Sequence, residues 1–276
     1  MWRQFRKHRL ALLGLGCIGM FIIVALFGSY LTPFDPNSQG DLLRTRYLAP
    51  SWEHPFGTDK FGRDVFSRVI QGTRISFGIA FAVVIIAISV GTIYGALAGY
   101  IGGTMDNMMM RLVDLLLAFP TIFLVITLVA FGGTQIGLLI LILGLTSWME
   151  VARLVRGEIL SLKEREFIQA VRALGAGSVR ILFRHLLPNC WNVVIVAATL
   201  KVGTVILVES ALSFLGLGVQ PPTASWGSII NDGKDVLLSA WWISTFPGLA
   251  IVLTVMSFNL VGDGLRDAAD PKSRFR

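Results

Sequence analysis

The residues best placed to do chemistry within the apolar segments of this sequence are few: Asp114, Lys201 and Glu209. Asp114 lies near one end of its segment, where it can stay hydrated. Lys201 and Glu209 are about 12 Å apart along one predicted helix, on faces about 80° apart, so we predict no direct pair. Ionisable groups inside a membrane line polar pathways or are buried against partner helices. Glu209 lies deeper and is the better pathway candidate.

Three more polar residues, Ser210, Ser213 and Asn231, fall in the same outer half as Glu209. We predict that these four residues line a substrate pathway. The sequence has no P-loop, no HExxH or GxSxG motif and no paired catalytic carboxylates. Its three histidines and two cysteines are dispersed, which argues against a metal site or a disulfide framework. We therefore expect no catalytic, cofactor-binding or metal-binding residues.

The composition predicts an integral membrane protein. The chain has 276 residues, of which 54% are apolar and 15% are charged, against about 25% charged in soluble domains. A net charge of +7 would raise nucleic acid as a partner for a soluble protein. In a membrane protein, lysine and arginine collect in cytosolic loops. We therefore expect a lipid bilayer and no nucleic acid.

Six segments approach the roughly 20 residues that a membrane helix needs. The first is too long for a cleavable signal, so we interpret it as an uncleaved anchor. The fourth is the weakest, because it reaches full length only by including Glu150 and Arg153. The predicted spans are 10–31, 75–100, 112–131, 136–155, 193–217 and 243–261.

An even number of spans places both termini on one side of the membrane. With that side in the cytosol, inner segments carry sixteen lysine and arginine residues, among them Arg3, Lys272, Arg274 and Arg276, and outer segments carry seven. This excess supports cytosolic termini.

Three further patterns concern packing and the outer surface. Val65, Val69 and Gly72 have helical spacing, which predicts a short helix lying on the membrane surface. Glycines at positions 91, 95 and 99 recur every four residues and predict close helix packing. Trp226, Trp241 and Trp242 suit an interfacial belt.

A polar, basic segment at 166–188 separates two long apolar segments. Ser161 and Glu164 have the spacing of a capping box, which predicts a helix beginning there. Gly175 and Gly177 permit a sharp turn, and Ser178 begins a second short helix that ends at Pro188. Its apolar stripe is Phe167, Val171 and Leu174, with Ile168 beside it. The predicted product is a helix–turn–helix knob that fits a groove on a partner protein.

This knob resembles the cytosolic loop of ABC-importer permeases, whose pattern is EAA, three residues, Gly, nine residues, Ile, one residue and Leu-Pro. The spacing holds here for Gln169-Ala170-Val171, Gly175, His185 and Leu187-Pro188. Gln169 and His185 depart from the family's residue types. Four other blocks resemble the second, C-type permease of dipeptide, oligopeptide and nickel importers: HPFGTDKFGRDVFSR, MRLVDLLLAFP, ALSFLGLGVQPPTASWG and FNLVGDGLRDAADP.

The resemblance implies an all-α membrane protein with six transmembrane helices, in the type I ABC-importer permease fold with a cytosolic coupling helix. It implies a homologous second permease as heterodimer partner, two cytosolic ATPases that bind ATP and Mg²⁺, and an extracytoplasmic solute-binding protein. The ATPase-coupling residues that it implies are Glu166, Phe167, Gln169, Ala170, Arg172, Leu174, Gly175, Arg180, Arg184 and Pro188.

The same resemblance divides the chain into four parts. They are a tail with the first anchor (1–31), an extracytoplasmic loop with a surface helix (32–74), the permease domain with its coupling loop at 161–190 (75–262), and a cytosolic tail (263–276). The expected location is a bacterial or archaeal cell membrane, the inner one where the host has two. Peptide import is the predicted function. The alternatives are a nickel or metal-chelate permease, an ion-coupled carrier, and a membrane enzyme or scaffold.

Overall fold

The computed structural model describes residues 5–39, 41 and 44–269, and its regular structure is helical. Arg3, Pro271, Lys272, Arg274 and Arg276, which entered the sequence predictions, lie outside this described part. The helices in chain order are α1 (Arg9–Leu31), α2 (Val65–Ile101), α3 (Gly103–Leu117), α4 (Thr121–Gly132), α5 (Ile136–Lys163), α6 (Glu166–Ala173), α7 (Ser178–Phe214), α8 (Trp226–Gly233) and α9 (Trp242–Ala269).

Five of these helices, α1, α2, α5, α7 and α9, are long and apolar enough to cross a membrane. The third predicted span, 112–131, is wrong as a single helix. It is divided between α3 and α4, which meet at an angle of 77°, so the described chain has six spans only if this bent pair counts as one. The break falls at Pro120, which precedes α4, and a proline disfavours helical backbone in the residue before it.

The fourth predicted span is longer than expected and continuous. Helix α5 runs to Lys163, and both charged residues that weakened the prediction have ionic partners. Glu150 pairs with Lys201 of α7, and Arg153 Nη2 lies 2.6 Å from Asp114 Oδ1 of α3.

The predicted surface helix around Val65 and Val69 is also wrong. These residues form the first turns of α2, which continues without a break to Ile101. Asp64 caps the helix by accepting a hydrogen bond from the Ser67 amide at 2.7 Å, which satisfies a free N–H of the first turn.

The glycines of α2 pack directly on α5, and the packing prediction is confirmed. A Cβ atom added at Gly95 would lie 2.2 Å from the carbonyl oxygen of Ala152. Gly91 meets Val151 and the Trp148 carbonyl in the same way, and Gly99 meets the Arg156 carbonyl. We call this contact the glycine seam.

Contacts between helix ends define the two ends of the bundle. His8, just before α1, lies 3.1 Å from Asp267 near the end of α9. Gly28, near the end of α1, packs on Ile70 near the start of α2. At the far end of α2, the carbonyl of Tyr100 accepts a hydrogen bond from Lys163, the last residue of α5. The start of α1, the end of α9 and the end of α5 therefore share one end of the bundle.

The predicted tryptophan belt is wrong for two of its three members. The Trp226 indole is fully buried and donates to the Val69 carbonyl at 3.1 Å. The Trp242 indole is buried and donates to the Thr58 carbonyl at 3.1 Å. Of the three belt residues, Trp241 alone is exposed. The Trp226 ring ties α8 to the start of α2, and the Trp242 ring ties the start of α9 to the loop before α2.

Candidate functional site

The first helix of the knob, α6, is anchored to the bundle by one buried side chain. Ile168 of α6 is fully buried and belongs to a cluster with Ile159 of α5 and Ile181, Leu182 and Leu186 of α7. The predicted capping box at Ser161 and Glu164 is wrong, because α5 continues to Lys163 and α6 begins only at Glu166. Helix α5 persists because Ile159 and Leu162 are buried in this cluster.

Gly175 makes the turn of the knob, as predicted from its position. Its φ is +80°, a conformation that glycine adopts without steric cost. The amide of Gly175 donates to the Arg172 carbonyl at 3.0 Å, and that of Ala176 to the Val171 carbonyl at 3.3 Å. The φ of Gly177 is −70°, so only Gly175 needs to be glycine for this turn.

The second helix of the knob does not end at Pro188, and that prediction is wrong. It continues into the span that ends at Phe214. A π-helical segment, Ile181–Leu186, precedes Leu187, whose amide donates to the carbonyl of Leu182, five residues back. The wider turn leads into the start of a regular helix, where the missing N–H of proline is tolerated.

The predicted coupling residues lie on the exposed side of the knob. Phe167 and Ala170 are exposed, and the side chain of Leu174 is 87% exposed. The sequence prediction missed two further exposed apolar residues, Val179 and Phe183. The side chains of Arg172, Arg180 and Arg184 make no hydrogen bond or ion pair within the described residues. Glu166 and Pro188 are also exposed, and the Gln169 side chain donates to the Lys163 carbonyl.

Glu209 lies in a sealed cluster of hydroxyl groups. Ser213 Oγ donates to its carboxylate at 2.7 Å, and Ser76 Oγ of α2 lies 3.5 Å away. Ser225 donates to Ser213 at 3.3 Å, which extends the network to α8. Glu209 is fully buried by this chain alone. The cluster therefore joins α2, α7 and α8.

Two of the predicted pathway residues have buried polar atoms that lack hydrogen-bond partners among the residues that the structure describes. Ser210 Oγ and Asn231 Oδ1 are buried atoms without a hydrogen-bond partner in the described chain. Ser210 and Ser213 are buried and Asn231 is half-buried. A role in the pathway for these residues and Glu209 stays a prediction.

Lys201 pairs with Glu150 of α5, a partner that the sequence did not identify. The prediction that Lys201 and Glu209 form no direct pair is confirmed. Fifty-one residues separate Glu150 from Lys201, so no local spacing signals the contact. Both residues border two cavities between α5 and α7, of about 190 Å³ and about 120 Å³.

The opposite end of the bundle from the knob holds a buried ionic network. Asp59 Oδ2 lies 2.7 Å from Arg63 Nε and 2.5 Å from Arg68 Nη1. Asp232 Oδ2 of α8 accepts from both arginines, at 3.2 Å and 3.0 Å, and Lys60 Nζ lies 3.0 Å from its Oδ1. Burial alone would raise the pKa of Asp232, but the charges of Arg68 and Lys60 outweigh it and lower the pKa. We call these five residues the far-end network.

Within the residues that the structure describes, no group of three or more His, Cys, Asp or Glu side chains is arranged to hold a metal ion. Cys17 and Cys190 are free thiols.

Long apolar helices, a bent helix pair and an anchored polar knob at one end define a multi-pass membrane permease. The chain belongs to the family described as the inner membrane component of binding-protein-dependent transport systems, which matches residues 91–275. Residues 1–50 match the N-terminal TM domain of oligopeptide transport permease C. The resemblance carried by the sequence blocks is therefore confirmed.

Two curated relatives cover almost the whole chain. The dipeptide transport system permease protein DppC of Bacillus subtilis is 43% identical over 99% of this chain and 85% of its own length. The glutathione transport system permease protein GsiD of Escherichia coli is 43% identical over 98% of this chain and 89% of its own length. These relatives are transport permease subunits, and the chain has the character of a transport subunit rather than an enzyme.

Among solved structures, a chain of the MetNI methionine ABC transporter in an inward-facing conformation is similar, with a TM-score of 0.58 and 20% identity. The match covers 73% of this chain and 96% of that one. It confirms the predicted fold, that of an ABC-importer permease.

Proposed function

We propose that this chain is one of two membrane-spanning subunits of an ATP-driven importer of di- or oligopeptides. The observation that carries the proposal is the 43% identity to a dipeptide permease over 99% of the chain. Glutathione, named for a second relative at equal identity, is also a short peptide. Both relatives favour peptides over nickel or a metal chelate as cargo.

Besides this chain and the lipid, the importer has three other kinds of component. A homologous second permease completes the pathway as a heterodimer, and an extracytoplasmic binding protein delivers the solute. Two cytosolic ATPases bind ATP and Mg²⁺ and hydrolyse the nucleotide. ATP binding shifts the permease pair between inward-open and outward-open states, because the closed ATPase dimer has different affinities for the two.

The knob is the coupling element that one ATPase grips. Phe167, Ala170 and Leu174 provide the apolar contact, supported by the exposed Val179 and Phe183. Arg172, Arg180 and Arg184 pair with acidic residues of the ATPase, since their charges have no partner within the described chain. Ile168 transmits the movement to α5 and α7, because it is the buried anchor of the knob.

The knob and both termini face the cytosol of a bacterium or archaeon, in the inner membrane where there are two. The start of α1 and the end of α9 share the knob's end of the bundle, which supports this orientation. The permease domain is 75–262 with its coupling loop at 161–190, and its first helix already begins at Val65. The anchor (1–31) and the loop (32–74) precede it, and the tail (263–276) follows it.

The test is uptake by the importer reconstituted in liposomes from this chain and the host's other subunits. We expect uptake of a labelled dipeptide that requires both MgATP and the binding protein. A non-hydrolysable ATP analogue serves as the matched control and supports no turnover. Uptake by this chain alone, or uptake driven by an ion gradient without ATP, would contradict the proposal.

A further inference from the structure

The ion pair between Glu150 and Lys201 lies at the middle of two membrane helices. Glu150 is fourteen residues after the start of α5 and thirteen before its end. Lys201 is thirteen residues before the end of α7. At 1.5 Å per residue, both lie about 20 Å from the nearer helix end. Both charges therefore lie well inside their helices rather than in a terminal turn.

The pair is only partly covered by this chain. The side chain of Lys201 is 12% exposed, but that of Glu150 is 66% exposed. A charged carboxylate that faces lipid within a membrane span is unfavourable, and such groups face a water-filled cavity or the interior of a bundle. The face of α5 that carries Glu150 is therefore directed at a polar space or at the second permease, where a pathway between two subunits must run.

The pair stands between two cavities stacked along α5 and α7. The cavity towards the outer end is also lined by four hydroxyl side chains: Thr121, Thr146, Ser147 and Thr204. The cavity towards the knob also contacts Leu154 and Ala197. Glu150 and Lys201 border both, so a solute that passes from one cavity to the other meets this pair.

Glu209 offers no such contact. Glu209 is fully buried, and serine hydroxyls already hydrogen-bond its carboxylate. A solute would have to open the helix bundle to reach it. Glu150 and Lys201 are thus the charged groups that a passing solute can meet without unfolding a span.

We infer that Glu150 and Lys201 bind the charged ends of a zwitterionic solute during passage, and this inference rests on the proposed function. The ammonium group of the solute takes the place of Lys201 beside Glu150, and its carboxylate takes the place of Glu150 beside Lys201. Every charge then keeps a partner, so the pair opens without leaving an ion unpaired between the helices. A solute that lacks either end leaves one protein charge unpaired.

Single substitutions in the reconstituted importer test this assignment. Uptake of one dipeptide is compared with that of its C-terminal amide and its N-acetyl derivative, each at a concentration that gives measurable uptake by the unmodified importer. Lys201→Met removes the partner of the carboxylate, and Glu150→Gln removes the partner of the ammonium group. Arg153→Met is the matched control, because Arg153 lies on the same helix as Glu150 and is paired with Asp114 of α3, but borders neither cavity.

With Lys201→Met we expect uptake of the free dipeptide to fall about tenfold while uptake of the amide changes less than about twofold, since a hydrogen bond between charged groups is worth about that factor. With Glu150→Gln we expect the same contrast between the free dipeptide and its N-acetyl derivative. The ratio of free-dipeptide uptake to blocked-peptide uptake does not depend on the amount of folded importer, because a general loss lowers uptake of all peptides alike.

Three results would overturn the assignment while leaving peptide import intact. They are equal losses for free and blocked peptides, unchanged uptake in both variants, and a contrast between free and blocked peptides in Arg153→Met as large as in the other two variants. Failure of the unmodified importer to take up any peptide with MgATP would overturn the proposed function and this site with it.

Discussion

Arg68 and Asp232 are 164 residues apart in the sequence, and Arg68 Nη1 lies 3.0 Å from Asp232 Oδ2. The contact joins the first turn of α2 to α8, which lies between the last two long helices. Arg68 Nη1 also lies 2.5 Å from Asp59 Oδ2, within the loop before α2. One guanidinium group therefore ties three separate segments together at the end of the bundle opposite the knob.

Loss of one member of this network will destabilise the fold. We expect Arg68→Met or Asp232→Asn to lower the free energy of unfolding by about 3 kcal/mol, because each removes one of the partners that compensate the remaining buried charges. Lys60→Met is the control, since Lys60 is more exposed, and its expected cost is about 1 kcal/mol or less. Denaturant unfolding in detergent measures the difference. Equal costs at Arg68 and Lys60 would show that burial does not govern these pairs.

The lowered pKa of Asp232 sets the direction in which its contribution to the stability of the fold changes with pH. A carboxylate whose pKa is lower in the folded state contributes stability above its unfolded pKa, and that contribution is lost as the pH falls through the folded value. The stability difference between the unmodified chain and Asp232→Asn should be constant above about pH 5 and shrink below the ordinary aspartate value of about 3.9. Unfolding measured across this range checks it, and a difference that shrinks as the pH rises would contradict it.

The glycine seam predicts a sharp contrast between two glycines of α2. Gly95→Ala places a methyl group 2.2 Å from the Ala152 carbonyl oxygen, so the helices must separate. We expect a loss of about 1–3 kcal/mol in stability, typical of overpacking. Gly78→Ala is the matched control, because nothing lies within 4 Å of its added Cβ. Thermal unfolding of the two purified variants gives the comparison, and similar melting temperatures would refute the close packing.

We expect substitutions at Gly175 to reduce coupling because of the backbone conformation at this position, and not because a larger side chain lacks room. No atom lies within 4 Å of a Cβ added there, but its φ of +80° strains most side chains by about 1–2 kcal/mol. We expect Gly175→Val to reduce uptake of solute per ATP hydrolysed while the chain still inserts. Gly175→Asn, which tolerates this conformation better, should stay closer to normal.

The readout for these Gly175 variants is the ratio of solute taken up to phosphate released in liposomes. If Gly175→Val couples normally, the turn of the knob has no part in coupling.

The two ends of the bundle predict opposite accessibility to a membrane-impermeant thiol reagent. Ser51 and Ser178 are both exposed, the first in the loop before α2 and the second on the knob. In intact cells or spheroplasts, with Cys17 replaced by Ala, Ser51→Cys should be labelled at once. Ser178→Cys should be labelled only after the membrane is permeabilised. The reverse pattern would invert the proposed orientation.

Local patterns were sufficient for some parts of this structure and insufficient for others. The four-residue spacing of Gly91, Gly95 and Gly99 predicted their packing, because small residues on one helix face admit another backbone. The position of Gly175 predicted its turn for a similarly local reason. The capping pattern at Ser161 failed because burial of Ile159 and Leu162 keeps α5 helical past it.

The charged contacts could not be predicted, because they join distant segments. Nothing near Arg68 indicates Asp232, and nothing near Glu150 indicates Lys201. Glu150 even weakened the prediction of its own span, since its partner was not visible in the sequence. The bend between α3 and α4 was missed for a different reason. A hydropathy pattern gives the length of an apolar segment, but it contains no information on the change of chain direction at Pro120.

The glycine seam restricts how this protein can change shape. Because α2 and α5 touch along their backbones at three successive positions, they cannot slide past each other and must tilt as one rod. Helix α5 ends at the knob, and α2 extends about 55 Å from there to the segment held by Arg68. A displacement of Ile168 would therefore move α5 and α2 together, and any change in helix angle must arise where this pair meets the other helices.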